Sequence, residues 1–227
     1  MSICKNCNNN FDQKFCGFCG QSAIMNEKIN LKDFCLDIFH TIFHTGSGFF
    51  FTIKNLFFKP DVVVKGYLEG KRKIYFSPVK LFLITGTVYV FVNHFVNKNK
   101  IDLNTQTLDY YFDHYKYLMI FGPILLSTIL NFLIYYRKKW LIAEHFITSL
   151  FTFSIIYILS SIYMVLNNLF QFKLAFYGII ISVIFYSYAM TNIYFTKNRI
   201  IGFILNIFIY IIIQSLFILP FLFLIKR

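Results

Sequence analysis

From about residue 78 to its end, the chain runs as apolar segments of roughly twenty residues separated by short polar breaks. About twenty consecutive apolar residues, wound as a helix, cross the roughly 30 Å hydrocarbon core of a bilayer. Backbone amides must satisfy one another inside lipid, so helices are the form such segments take. The boundaries predict five spans, at about 79–96, 117–136, 143–166, 174–195 and 200–224, with a polar loop over 97–116. Composition agrees: 57% of the 227 residues are hydrophobic and 14% are charged, against about 25% charged in soluble domains. The 31 Phe and 16 Tyr, beside many Ile, Lys and Asn, read as compositional bias rather than as a functional box.

Before the spans come two Cys-x-x-Cys pairs, Cys4/Cys7 and Cys16/Cys19, eight residues apart. Each pair can fold back as a knuckle that presents two sulfurs to one ion at about 2.3 Å. Residues 1–22 are too few to bury a useful core, so a metal must contribute the folding energy. One zinc ion on four cysteines is the expected cofactor, with an iron–sulfur centre or a redox pair as the rival chemistry. A left-handed turn is expected after each pair, at Asn8 and at Gly20. Reduced thiolates suit the cytoplasm, and the polar N-terminus shows no apolar stretch typical of a cleavable leader.

Residues 23–77 lie between head and spans. Leu31, Phe34, Cys35, Ile38, Phe39, Ile42 and Phe43 recur with helical spacing, predicting an amphipathic helix over 31–44. Asn30 and Asp33 sit at its start, and Gly46 and Gly48 at its end. An aromatic-rich helical piece follows over 49–58, stopped by Lys59-Pro60. Both pieces are too short to span. They either lie in the membrane interface or pack on the span bundle. Pro60 and Gly70 frame another short helix. Lys71, Arg72 and Lys73 then precede Tyr75 and Phe76, a combination suited to anionic headgroups. Ser77-Pro78 opens the first span, whose Lys80 can snorkel.

The net charge is +12. In a membrane chain this first reflects the accumulation of Lys and Arg on the cytoplasmic side. With five spans, 16 of the 22 basic residues fall on the side of the head. This places the N-terminus in the cytoplasm. Nucleic acid is disfavoured as a partner. Membrane lipids, a cytoplasmic protein and a second copy of the chain are the expected ones.

Inside the spans, Glu144, His145, Thr148, Ser149 and Thr152 fall on one helical face. Either Glu144 and His145 act together on a proton, an ion or a headgroup, or Glu144 pairs with Arg137 or Lys138 while the hydroxyls knit helices together. Asn93, His94, Asn131, Asn206 and Gln214 read as interhelical hydrogen-bond formers. Asp37, His40 and His44 share the polar face of the first amphipathic helix, a weak metal candidate without a zincin glutamate. There is no Ser/His/Asp arrangement, phosphate loop or dinucleotide fingerprint, and no catalytic residues are assigned.

The order Cys4-x-x-Cys7, Phe15-Cys16-Gly17-Phe18-Cys19-Gly20-Gln21, then Gly66-Tyr67-Leu68-Glu69-Gly70-Lys71-Arg72-Lys73-Ile74-Tyr75-Phe76-Ser77-Pro78, then Ala143-Glu144-His145-Phe146 resembles a bacterial family of zinc-ribbon multi-pass membrane proteins known only as a domain of unknown function. The resemblance implies a four-cysteine ribbon on several spans and no established activity. In that family further histidines often follow the Glu-His pair. Phe151 and Phe153 stand in that region here, so the resemblance argues against a multi-histidine site.

The expected fold is therefore an all-α membrane protein with a small zinc ribbon and interfacial helices. Three functions fit it. One is a membrane-tethered adaptor or regulator. The second is an oligomeric pore or membrane-perturbing effector such as accompanies phage-defence systems. The third is a small transporter or membrane enzyme using Glu144 and His145.

Overall fold

The computed structural model describes residues 2–23, 48–98, 106–170, 175–195 and 198–225. The segment 24–47, which carries Cys35 and the Asp37, His40 and His44 set, lies outside the described residues. Two short strands, β1 (Ser2–Ile3) and β2 (Asn10–Phe11), pair antiparallel with Ser2 opposite Phe11. Seven helices follow among the described residues. They are α1 (Phe49–Phe58), α2 (Pro60–Leu68), α3 (Pro78–Lys98), α4 (Gln106–Ile134), α5 (Ile142–Phe170), α6 (Ala175–Tyr194) and α7 (Arg199–Ile225).

Among the described residues, four stretches are long and apolar enough to cross a membrane: Pro78–Val96, Ile142–Phe170, Tyr177–Tyr194 and Arg199–Leu216. Helix α4 adds a shorter apolar stretch, Leu118–Ile134. The expected polar loop over 97–116 requires correction, because α4 is already helical from Gln106. No glycine or proline stands between residues 97 and 121, so nothing in the covalent chain stops the helix from growing back into the polar stretch. Pro123 lies inside α4 and removes one helical amide donor. Nearby, the Tyr157 hydroxyl of a neighbouring helix donates to the Ile120 carbonyl at 2.7 Å.

Helix α5 is the axis of the bundle. It packs against α3, α4 and α6, while α7 packs against α6 and α4. Its 29 residues extend about 43 Å at 1.5 Å per residue, longer than the roughly 30 Å hydrocarbon core. The two ends are treated differently. Nearly every side chain from Ala143 to Tyr157 is buried, whereas Ile162, Val165, Leu166, Leu169 and Phe170 are exposed. The hairpin of α1 and α2 packs against α5 and α6. Tyr67 meets Phe151 edge-on at 5.5 Å between ring centroids. Phe57 stacks on Phe185 at 5.7 Å, and the Tyr188 hydroxyl donates to the Phe58 carbonyl at 2.7 Å.

Helix α1 packs on the span bundle. Thr52 and Leu56 are buried, and Phe50, Phe51, Phe57 and Phe58 remain exposed. The buried Thr52 hydroxyl accepts the Phe76 N–H at 2.8 Å. Phe49 packs edge-on to Phe76 and Phe51 stacks on Tyr75. These contacts fix α1 to the entry of the first span.

Candidate metal centre and its attachment to the membrane body

Both knuckles are built the same way. The Cys4 N–H donates to the Asn9 carbonyl at 2.9 Å and the Asn8 N–H to the Cys4 carbonyl at 2.8 Å. The Cys16 N–H donates to the Gln21 carbonyl and the Gly20 N–H to the Cys16 carbonyl, both at 2.8 Å. These tight reversals require a left-handed residue after each pair. Asn8 (φ 61°) and Gly20 (φ 71°) occupy those positions as the sequence implies.

The reversals bring four free thiols together, all four sulfurs within 4.8 Å of one another. The nearest pairs cross between knuckles: Cys4 Sγ to Cys19 Sγ and Cys7 Sγ to Cys16 Sγ, each 3.6 Å. A tetrahedral ion with sulfur ligands at 2.3 Å places the sulfurs about 3.8 Å apart. The cluster matches that spacing, so the residues present fit a thiophilic ion. Electrostatics prepare the set unevenly. The Cys19 backbone N–H, with that of Phe18, lowers the Cys16 thiol to about 7 against the opposing effect of burial. At Cys7 the Asn9 N–H favours the thiolate, but burial and the three neighbouring thiols outweigh it and push the group up to about 12.

The head is not suspended freely. Gln21, 1% exposed, clamps the turn after α2 with both ends of its amide. Its Nε2 donates to the Gly70 carbonyl at 2.7 Å, and its Oε1 accepts the Lys73 N–H at 3.4 Å. Gly70 is buried with φ 107°, a conformation that favours glycine. Lys71 and Lys73 are exposed, whereas Arg72 is half-buried with its guanidinium 5.9 Å from the Tyr67 ring centroid. The basic triplet therefore does not face outward as a block. Lys80, at the start of α3, is half-buried. The role of Gln21 was missed in the sequence. Its signal was the Gly20-Gln21 pair directly behind the second knuckle.

The intramembrane candidates separate. Glu144 is half-exposed and its Oε2 accepts the Leu141 N–H at 2.7 Å, which is how a third-position glutamate closes the first turn of a helix. His145 is fully buried. Its Nδ1 lies 2.7 Å from the Tyr194 hydroxyl, and its ring is surrounded by Phe132, Trp140 and Tyr194. Thr148 and Thr152 are buried and return their hydroxyl protons to carbonyls one turn back in the same helix. Ser149 reaches across to Ser127 at 3.2 Å. The interhelical network continues through Ser127, Asn131 and Tyr186. A second branch runs from the Tyr135 hydroxyl to Asn206 Oδ1 at 2.7 Å and from Asn206 Nδ2 to Thr191. Asn131 and Asn206 thus join helices, as expected of amides in spans.

Fold and site together define an all-α protein with several membrane-crossing helices and a four-cysteine head able to hold a metal ion. A family profile described as "Protein of unknown function (DUF3667)" matches residues 47–90. The matched stretch takes in α1, α2, the basic turn and the first half of α3, and leaves out the cysteines. No curated protein and no solved structure matches the chain.

Proposed function

We propose that the chain is a membrane-tethered adaptor or regulator whose cytoplasmic head carries one zinc ion on Cys4, Cys7, Cys16 and Cys19. The observation that carries this reading is the apolar surface on so small a head. Ile3, Phe15 and Phe18 are 64%, 60% and 80% exposed, around an interior formed by Phe11, Cys4 and Cys16. Exposed apolar groups gathered on a small unit mark a surface that meets something else. Four soft thiolate donors at tetrahedral spacing support zinc over hard cations. The excess of basic residues on the head's side supports a cytoplasmic N-terminus, and the resemblance to a bacterial membrane family supports a bacterial inner membrane as its location. Cytoplasmic protein is the partner class that the apolar tip suits.

The hydrogen-bonded closure of Ser127, Asn131, Ser149 and Tyr186 on one another favours a fixed bundle over a pore. The Glu144 carboxylate caps its own helix by accepting the Leu141 N–H, which favours a structural role for it over a joint one with His145. The test is cross-linking in intact cells with Phe18→Asp. The variant is expected to retain one zinc per chain and insert normally while losing the cross-linked cytoplasmic protein seen with the parent. An unchanged cross-link pattern would refute the adaptor role.

A further inference from the structure

We infer that Lys71 and Lys73 form a contact for anionic phospholipid whose geometry is held by the metal head through Gln21. This inference rests on the metal-bound head proposed above.

Three observations carry it. The first is how the turn is closed. Its start is secured by the helix it leaves, through the Gly70 N–H on the Tyr67 carbonyl and the Lys71 N–H on the Gly66 carbonyl. Its far end is held from outside, by Gln21 across a separation of 52 residues. The second is what holds Gln21. Its own carbonyl accepts the N–H of Cys16, a metal ligand, in the same ring of bonds that turns the second knuckle. The head's apolar cluster is separate from that of the bundle, so the clamp ties the basic turn to a unit that depends on its ion. Gln21 is a positioning residue: it sets the turn and touches no lipid.

The third observation is the setting. Pro78 begins the first span five residues after Lys73. Between them, Tyr75 and Phe76 pack on Phe51 and Phe49 of α1, whose neighbour Phe50 is 82% exposed. Aromatic side chains gathered at the mouth of a span mark the headgroup level. With Arg72 folded over Tyr67, Lys71 and Lys73 are the exposed ammonium groups of the triplet that leads into this level. Phosphate-bearing lipids of the bilayer that holds the spans complement them in charge.

The experiment uses the full-length, zinc-bound protein in detergent, titrated with phosphatidylglycerol and with phosphatidylcholine, and followed by native mass spectrometry. Each lysine near an anionic headgroup strengthens binding about five-fold. The Lys71→Gln, Lys73→Gln double variant should therefore bind phosphatidylglycerol about 25-fold more weakly, with phosphatidylcholine unchanged. Gln21→Ala should keep its zinc and lose most of the same preference. It should have little further effect in the double-variant background, since both act on one contact. Chelating the metal from the parent should reproduce the Gln21→Ala result.

Zinc-bound Gln21→Ala with parental phosphatidylglycerol binding would overturn this inference alone. So would a double variant that loses an RNA or acidic-protein adduct but keeps the lipid. A parent protein that purifies without metal and takes up none would overturn the reading beneath it.

Discussion

Removing the metal should unfold the head and leave the helical bundle standing. Among the described residues, the head's interior is Phe11 against Cys4 and Cys16, with Ala23 beside them. Burying one phenylalanine contributes about 1.5–3 kcal/mol. Ordering one residue's backbone costs about 1–2 kcal/mol, so Phe11 offsets the ordering of roughly one to three residues and no more. A structural zinc site contributes about 10–16 kcal/mol, and this is the effect that decides. The measurement is amide hydrogen exchange on the full chain in micelles, before and after chelation. Four amides report directly on the knuckles: those of Cys4, Asn8, Cys16 and Gly20, each bonded to a carbonyl at 2.8–2.9 Å. All four should lose protection on chelation and regain it when zinc is returned. Amides of the buried half of α5, Ala143 to Tyr157, should be unaffected. Cys16→Ser should match the chelated state with no recovery. Protection of the four head amides in demonstrably metal-free protein would refute the reasoning, because the chain would then be stable without its ion.

Metal affinity should fall as pH falls, with a bend near pH 7. Cys7, pushed up to about 12, surrenders a proton to the metal throughout the neutral range. Cys16, lowered to about 7, surrenders one only below about that pH, so the slope of log affinity against pH should steepen by about one there; a competition titration with a chromophoric chelator reads it. Glu144→Gln should preserve stability and function, since glutamine can also accept the Leu141 N–H, whereas Glu144→Ala should destabilise by about 0.5–2 kcal/mol. A total loss of function in the glutamine variant would show instead that the charge itself matters. Tyr135→Phe and Asn206→Leu should each destabilise the bundle by about 0.6–1.7 kcal/mol. Their joint effect should be smaller than the sum, because both remove the 2.7 Å bond between α7 and the end of α4; thermal unfolding in detergent of the two singles and the double checks it, and strict additivity would exclude the bond.

Much of this protein was legible before its fold was known, and for local reasons. Span lengths follow from runs of apolar residues. Ser77-Pro78 opens a helix because proline suits a first turn, and Asn8 and Gly20 turn left-handed because the bond pattern of a Cys-x-x-Cys reversal demands it. The gathering of Cys4, Cys7, Cys16 and Cys19 needed only their spacing. Where the chain contradicted expectation, as at residues 106–116, an absence of helix breakers outweighed polarity.

What the sequence by itself could not determine is what each polar side chain does once helices meet. Glu144 and His145 are neighbours in the chain, yet their side chains take different hydrogen-bond partners. The rotation of α5 turns His145 into the core against Tyr194 of α6, while the start of the same helix engages Glu144. Lys71, Arg72 and Lys73 carry the same charge in a row, yet Tyr67 draws Arg72 inward and leaves the lysines out. Gln21 is one amide among many in a polar segment. Only tertiary structure, by bringing it against Gly70 and Lys73 from 49 and 52 residues away, makes it the joint between a four-cysteine head and a membrane body. Periodicity and spacing are local quantities, whereas hydrogen bonds between distant segments depend on how whole elements dock.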